Sequence, residues 1–323
     1  MLIAIVLYKS KNFSSQTKTP NETILSLYLY NPVSIIACVS KRLDLFFTLI
    51  NLLFAYNPFN LFTSPILLAL SIITTPGYLS ISFTYIFYLF LTNSKQIKPI
   101  IPLTVVYLVA YFIITKCIFN IDTLTNTYTI YYNYYFMKDT LPNFSDLWSL
   151  LAGTFLKYQK FTLQMLFIYQ ITLCMSVMAL VHRIDDKYYS NKTGLTYSLI
   201  FMMSHILDKY PCENHYIISL LLLFQHWDVV KQKIITLAVY GSFAGYSLIV
   251  CRGFPYTWRK TGSSNYLYFQ NVTYEIAMTF IMMCAMNGIN SFRKREKTKE
   301  KIKLCINDII DNVLVKVNAN KNE

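Results

Sequence analysis

The run IIPLTVVYLVAYFIITKCIF fills residues 100–119 and carries one charge, Lys116. About twenty helical residues, at 1.5 Å each, span the roughly 30 Å hydrocarbon core of a bilayer. This stretch therefore predicts a helix that crosses a membrane, and with it an all-α protein. Similar apolar stretches lie on both sides, at 24–39, 43–56, 61–73, 78–91, 161–181, 194–207, 216–227, 234–250 and 266–289. Together they predict a polytopic bundle of about eight to ten membrane helices, several of them short.

Two of the short stretches are interrupted. Asn31-Pro32 breaks the first, and Thr74-Thr75-Pro76-Gly77 separates 61–73 from 78–91. Proline removes a backbone donor, so the carbonyl it frees must be satisfied by protein or water. These segments read either as broken or re-entrant helices or as short spans joined by tight turns. Residues Met1–Tyr8 are apolar but too short to span, and read as the remnant of a longer helix. No basic n-region or small-residue cleavage site marks a signal peptide. The chain divides into a short N-terminal remnant and polar loop (1–23), a polytopic membrane domain (24–290) and a basic cytoplasmic tail (291–323).

Composition agrees. Of 323 residues, 54% are hydrophobic and 14% charged, and mean hydropathy is +0.39. Soluble domains carry about a quarter charged residues. The balance excludes disorder, a coiled coil and a disulfide-stapled secreted fold, and it disfavours a soluble enzyme. Tyr (27) and Phe (23) are abundant; an AT-rich genome inflates both, so single aromatics carry little weight.

The net charge of +13 comes from 29 basic and 16 acidic side chains. Seven of the basic residues lie between Arg293 and Lys303, directly after the last apolar stretch. That pattern marks the cytoplasmic edge of a membrane and not a nucleic-acid groove. Counting back from it makes 251–265 lumenal, 231–233 cytoplasmic, the Tyr210-Pro211 turn lumenal and 120–160 lumenal. Lys41-Arg42 strains this scheme by landing in the lumen.

Catalytic and metal motifs are absent from the sequence. No GxSxG, HExxH or CxxC occurs. The seven cysteines lie mostly in or beside apolar runs, where Cys acts as a small hydrophobe. His182, His205, His215 and His226 read as structural or interfacial residues at loop and helix ends. Asp185-Asp186, beside Arg183 and Lys187, reads as a solvated salt-bridged loop. Glu275 is the clearest acid inside an apolar run, and Asn271 sits four residues earlier on the same face. It contacts a polar lipid head or a partner helix, or it makes an interhelical hydrogen bond.

Four segments carry a resemblance. They are Leu27–Cys38 (LYLYNPVSIIAC), Leu141-Pro142-Asn143 with Leu147-Trp148 and Phe155, Lys209-Tyr210-Pro211 followed by Phe224, Trp227 and Asp228, and Gly262–Tyr268 (GSSNYLY). In this order and spacing, over about residues 24–292, they resemble the PIG-U family, the U-type subunit of the GPI transamidase. The sequence departs from the family pattern in three ways. The family's first helix and lumenal loop would precede residue 24, which suggests a truncated or reduced N-terminus. The GSSN motif lacks two residues, and Asp228 stands where the family has Asn.

The resemblance implies a noncatalytic subunit in the endoplasmic reticulum membrane, with an architecture similar to GT-C glycosyltransferases but without their activity. Its implied partners are the other transamidase subunits, including the cysteine protease-like catalytic one, and the GPI glycolipid. It implies no cofactor, no metal and no nucleic acid. Tyr210, Trp227, Asp228, Asn265, Tyr266 and Tyr268 fall in the resembling motifs and, with Glu275, are the candidate lipid-binding residues. A GT-C mannosyltransferase is the first competing reading; it needs acidic residues in the first lumenal loop. A transporter is the second; it needs inverted repeats, and none is visible.

Overall fold

The computed structural model describes residues 2–9, 21–39, 43–74, 77–136, 159–184, 192–206, 213–226, 229 and 265–319. Nearly all of them are α-helical, and no strand occurs among the described residues. The all-α expectation holds. The helices are α1 (Leu2–Lys9), α2 (Asn21–Leu29), α3 (Pro32–Val39), α4 (Leu43–Tyr56), α5 (Thr63–Thr74), α6 (Gly77–Thr92), α7 (Ser94–Ile97), α8 (Ile100–Phe119), α9 (Thr123–Phe136), α10 (Gln159–His182), α11 (Lys192–Ile206), α12 (Glu213–Gln225) and α13 (Asn265–Ala319). The apolar stretch at 234–250 and the motif at 141–155 lie outside the described residues.

Both interruptions are real helix breaks. At the first, Asn31 caps α3: its carbonyl accepts the Ile35 N–H at 3.1 Å, and Pro32 takes the first helical position, where its missing donor costs nothing. At the second, α5 ends at Thr74 and α6 starts at Gly77. The Tyr131 hydroxyl of α9 donates to the Ile72 carbonyl in the last turn of α5. A tyrosine 59 residues away in sequence thus satisfies one carbonyl that the break leaves without a helical partner. Tyr131→Phe should cost about 1 kcal/mol, the net contribution of one hydrogen bond, because a partly buried carbonyl loses its donor. Thermal unfolding in detergent checks this. Tyr128→Phe, at an exposed ring of the same helix, should leave the midpoint unchanged.

Helix α9 lies inside the interval that the sequence reads as a polar lumenal connection. Its ends explain why it forms. Asn120 closes α8 in the left-handed conformation (φ 54°) that Asn tolerates. Asp122 then caps α9, accepting the Thr125 N–H at 3.3 Å and the Thr125 hydroxyl at 3.0 Å. Those two hydrogen bonds hold the exposed Asp122 carboxyl below the usual carboxylate range. The cap is therefore complete at neutral pH and is lost only as pH falls through that lowered value.

The bundle shares one continuous apolar core. At its centre is α11, buried on every side from Gly194 to Ile206. Helices α6, α10, α12 and α13 pack around it. A row of rings crosses this centre from α4 to α12. Consecutive centroids are 6.0 Å apart for Phe54–Tyr85, 5.1 Å for Tyr85–Tyr197, 5.7 Å for Tyr197–Phe201, 4.4 Å for Phe201–His205 and 4.1 Å for His205–His215. Several of these pairs are edge-on, the arrangement the ring quadrupole favours.

Two buried polar clusters fix how the helices meet. In the first, Ser82 donates to Asn51 Oδ1 at 3.4 Å, and the Ser71 and Ser82 hydroxyls are 2.9 Å apart, which joins α4, α5 and α6. In the second, Gln170 Nε2 donates to the Ser204 carbonyl at 3.0 Å, while Ser80 Oγ and Cys174 Sγ lie 3.4 and 3.3 Å from Ser204 Oγ. This joins α6 and α10 to α11. Such bonds contribute only about 0.6 kcal/mol each in an apolar surrounding, so they set register more than stability.

Candidate lipid-facing site

The apolar run expected to be the remnant of a longer helix forms α1, which enters the core through Ile3 and Leu7. Leu7 of α1 is fully buried. Gln225, the last residue of α12, donates from Nε2 to the Leu7 carbonyl at 3.2 Å. The bond links residues 218 apart in sequence. The next residue, His226, is hydrogen-bonded to the Gly194 backbone at the start of α11. The C-terminal end of α12 is therefore clamped to two other helices at once. Trp227 and Asp228 follow immediately; they lie outside the described residues, between the buried His226 and the buried Val229, whose N–H bonds back to the His226 carbonyl at 3.1 Å.

Beside this clamp, α1 and α4 diverge around an apolar groove of about 300 Å³. Leu2, Ile5, Val6, Leu49, Leu53 and Tyr56 line it. It is at the small end of ligand-site volumes. Its walls carry one polar tip, the Tyr56 hydroxyl, and Leu2 stands open to the outside at 64% exposure. The lining is apolar and offers a charged group no partner.

Two of the four histidines meet. His205 and His215 face each other across the α11–α12 junction, with ring planes 30° apart, and Tyr216 donates to the His205 carbonyl at 3.2 Å. Spacing along the sequence gives no sign of this pairing, because it depends on how α11 and α12 pack together. His182, by contrast, is exposed. Among the described residues, no group of three or more His, Cys, Asp or Glu is placed to hold a metal ion.

The other sequence candidates are placed as follows. Tyr210 lies outside the described residues. Asn265, Tyr266, Tyr268 and Glu275 all fall in α13, at its start and in its third turn. Asn271 and Glu275 share that helix at a spacing of four, as expected.

The model of the family described as "GPI transamidase subunit PIG-U" matches residues 1–274. The chain belongs to the PIG-U family. It is therefore a subunit of the GPI transamidase. The match takes in α1, which the motif resemblance did not reach, and ends one residue before Glu275. Asn265, Tyr266 and Tyr268 lie within the PIG-U match, and Glu275 does not. No curated protein and no solved structure matches the chain.

One helical stretch among the described residues, Ser94–Phe119, is long and apolar enough to cross a membrane. Its outer face is largely uncovered: Val105, Val106, Val109 and Ile113 are all more than half exposed. Shorter apolar helices at 45–56, 63–73, 79–92, 168–182 and 215–225 accompany it. An all-round apolar surface of this kind is costly in water and costs nothing in a lipid bilayer.

Proposed function

We propose that this chain is a noncatalytic, multi-pass subunit of the endoplasmic reticulum membrane that helps present the GPI lipid and scaffolds the transamidase. The family match over most of the chain carries this reading. The reaction cleaves a C-terminal signal from a proprotein and joins the new carboxyl to the ethanolamine of the GPI lipid. In this reading a cysteine protease-like partner performs that chemistry. The present chain supplies an apolar wall for acyl chains and a polar edge for the glycan.

The α1–α4 groove supports the first role, since its lining suits a hydrocarbon tail. Tyr210, Trp227, Asp228, Asn265, Tyr266 and Tyr268 are the residues we assign to the polar edge. Glu275 is assigned to a headgroup or partner-helix contact. The clamp at Gln225 and His226 supports a positioning role for the Trp227-Asp228 segment.

Affinity purification of the tagged chain in mild detergent tests the proposal. The expected result is stoichiometric recovery of a caspase-like cysteine protease subunit. A monodisperse single chain that transfers mannose from a dolichol-linked donor in microsomes would overturn it in favour of the glycosyltransferase reading.

A further inference from the structure

Helix α13 runs unbroken from Asn265 to Ala319. Its inner face is buried against the bundle through Met278, Ile281, Met282, Ala285, Ile289 and Phe292. The opposite face is a row of residues spaced alternately four and three apart, the repeat that keeps positions on one side of a helix. The row opens with Ile276, Phe280 and Met283, each more than half exposed. Asn287, exposed, and Asn290, half-buried, come next. Lys294, Lys297 and Lys301 follow, all exposed.

Charge is sorted about this row. Neither Glu296 nor Glu300 lies on it. Glu296 Oε1 is 2.7 Å from Lys299 Nζ and 3.6 Å from Arg295 Nε, and the Arg295 guanidinium sits over the Phe292 ring at 5.5 Å. Those two cations are engaged within the helix and lie off the row. The first acid on the row is Asp308, about 10 Å beyond Lys301. From Ile276 to Lys301 one exposed face thus passes from apolar through amide to cationic, in the order of the chain.

We propose that this face binds an anionic phospholipid of the leaflet at the basic end of α13. Two observations select that occupant. The first is the order of chemistries, which is that of a phospholipid laid along the helix. Ile276, Phe280 and Met283 match acyl chain. Asn287 and Asn290 stand about 6 and 10 Å beyond Met283, and their amides can donate to the ester carbonyls of the polar zone. Lys294 follows at about 16 Å, and its side chain leans back toward the start of the helix, which brings the ammonium to the level of a phosphate. The second is charge. Three lysines on one face, with the acids elsewhere, favour a headgroup of net negative charge over a zwitterionic one. A second copy of this chain would instead bring lysine against lysine. The inference rests on the apolar part of α13 standing in a bilayer and not on how the chain handles the GPI lipid.

Native mass spectrometry of the delipidated full chain in mild detergent tests this, with phosphatidylserine and phosphatidylcholine of the same acyl chains as probes. The expected result is tighter binding of phosphatidylserine, by about fivefold or more. The triple variant Lys294→Gln, Lys297→Gln and Lys301→Gln should abolish that preference. Its melting midpoint should not change, since the three side chains are exposed. The charge-matched control, Arg295→Gln with Lys299→Gln and Lys303→Gln, loses the same three charges off the row and should keep the preference. Equal binding of the two lipids by the parent chain, binding of neither, a preference that survives the Lys294, Lys297 and Lys301 changes, or one lost equally in both triple variants would each overturn the proposal. None of these outcomes bears on recovery of the cysteine protease-like subunit, so the two proposals fail separately.

Discussion

Phe201→Ala is expected to destabilise the bundle by about 3–5 kcal/mol, the range for removing a fully buried aromatic ring. Phe201 lies in the ring row of the central helix, between Tyr197 and His205, and has no exposed surface. It also faces His215 of α12 at 6.3 Å. Truncation leaves a cavity inside α11, the helix with the least freedom to relax, because four neighbours enclose it. Phe201→Leu keeps most of the volume and should cost less, about 1–1.5 kcal/mol. The midpoint of thermal unfolding in detergent, measured for both variants, checks the pair. Equal, small losses would mean that the ring row is not a stabilising feature.

Leu7→Ala should cost about 2–5 kcal/mol and act on α1 specifically. Leu7 has no exposed surface, and its carbonyl accepts the Gln225 amide. An eight-residue helix has little stability of its own. Loss of its main anchor should therefore detach α1 and leave the rest of the bundle folded. A cysteine introduced at Ile3, which is 6% exposed, should resist thiol labelling in the parent and react at least tenfold faster in Leu7→Ala. The same variant removes one wall of the apolar groove, so GPI attachment should fall in parallel if the groove holds an acyl chain. Unchanged labelling would show that α1 is held by something other than Leu7.

Some of this fold is plain in the amino-acid order. Helices α4 and α8 begin and end at the residues where their apolar runs begin and end. Neither run holds a Pro or Gly after its first turn, and Asn57-Pro58 or Asn120 stops it. The breaks at Pro32 and at 75–76 are equally direct, because proline and glycine act locally. Helix α9 escapes notice because TLTNTYTIYYNYYF lacks an apolar run and its tyrosines resemble compositional bias. Its visible signal is the pair Asn120 and Asp122, a stop followed by a cap. Helix α1 is as short as its apolar run predicts, while its place against α2, α4 and α12 is a tertiary feature with no local signal. The groove and the His205–His215 pair depend on how separate helices meet, which no local pattern encodes. Of the candidate site, the contacts of Gln225 and His226 at the end of α12 are tertiary features that no local motif signals.

The enclosure of α11 has a consequence for how the protein is made. Its sequence, KTGLTYSLIFMMSHI, contains Thr, Ser and His among the buried residues and presents no face to lipid. A segment of that polarity gains little by entering a bilayer by itself. Its bonding partners Gln170 and Cys174 are synthesised just before it, and Tyr216 just after. Helices α10, α11 and α12 are therefore expected to insert as one unit, so a lesion in any of them should show as a loss of protein in the membrane before it shows as a loss of activity.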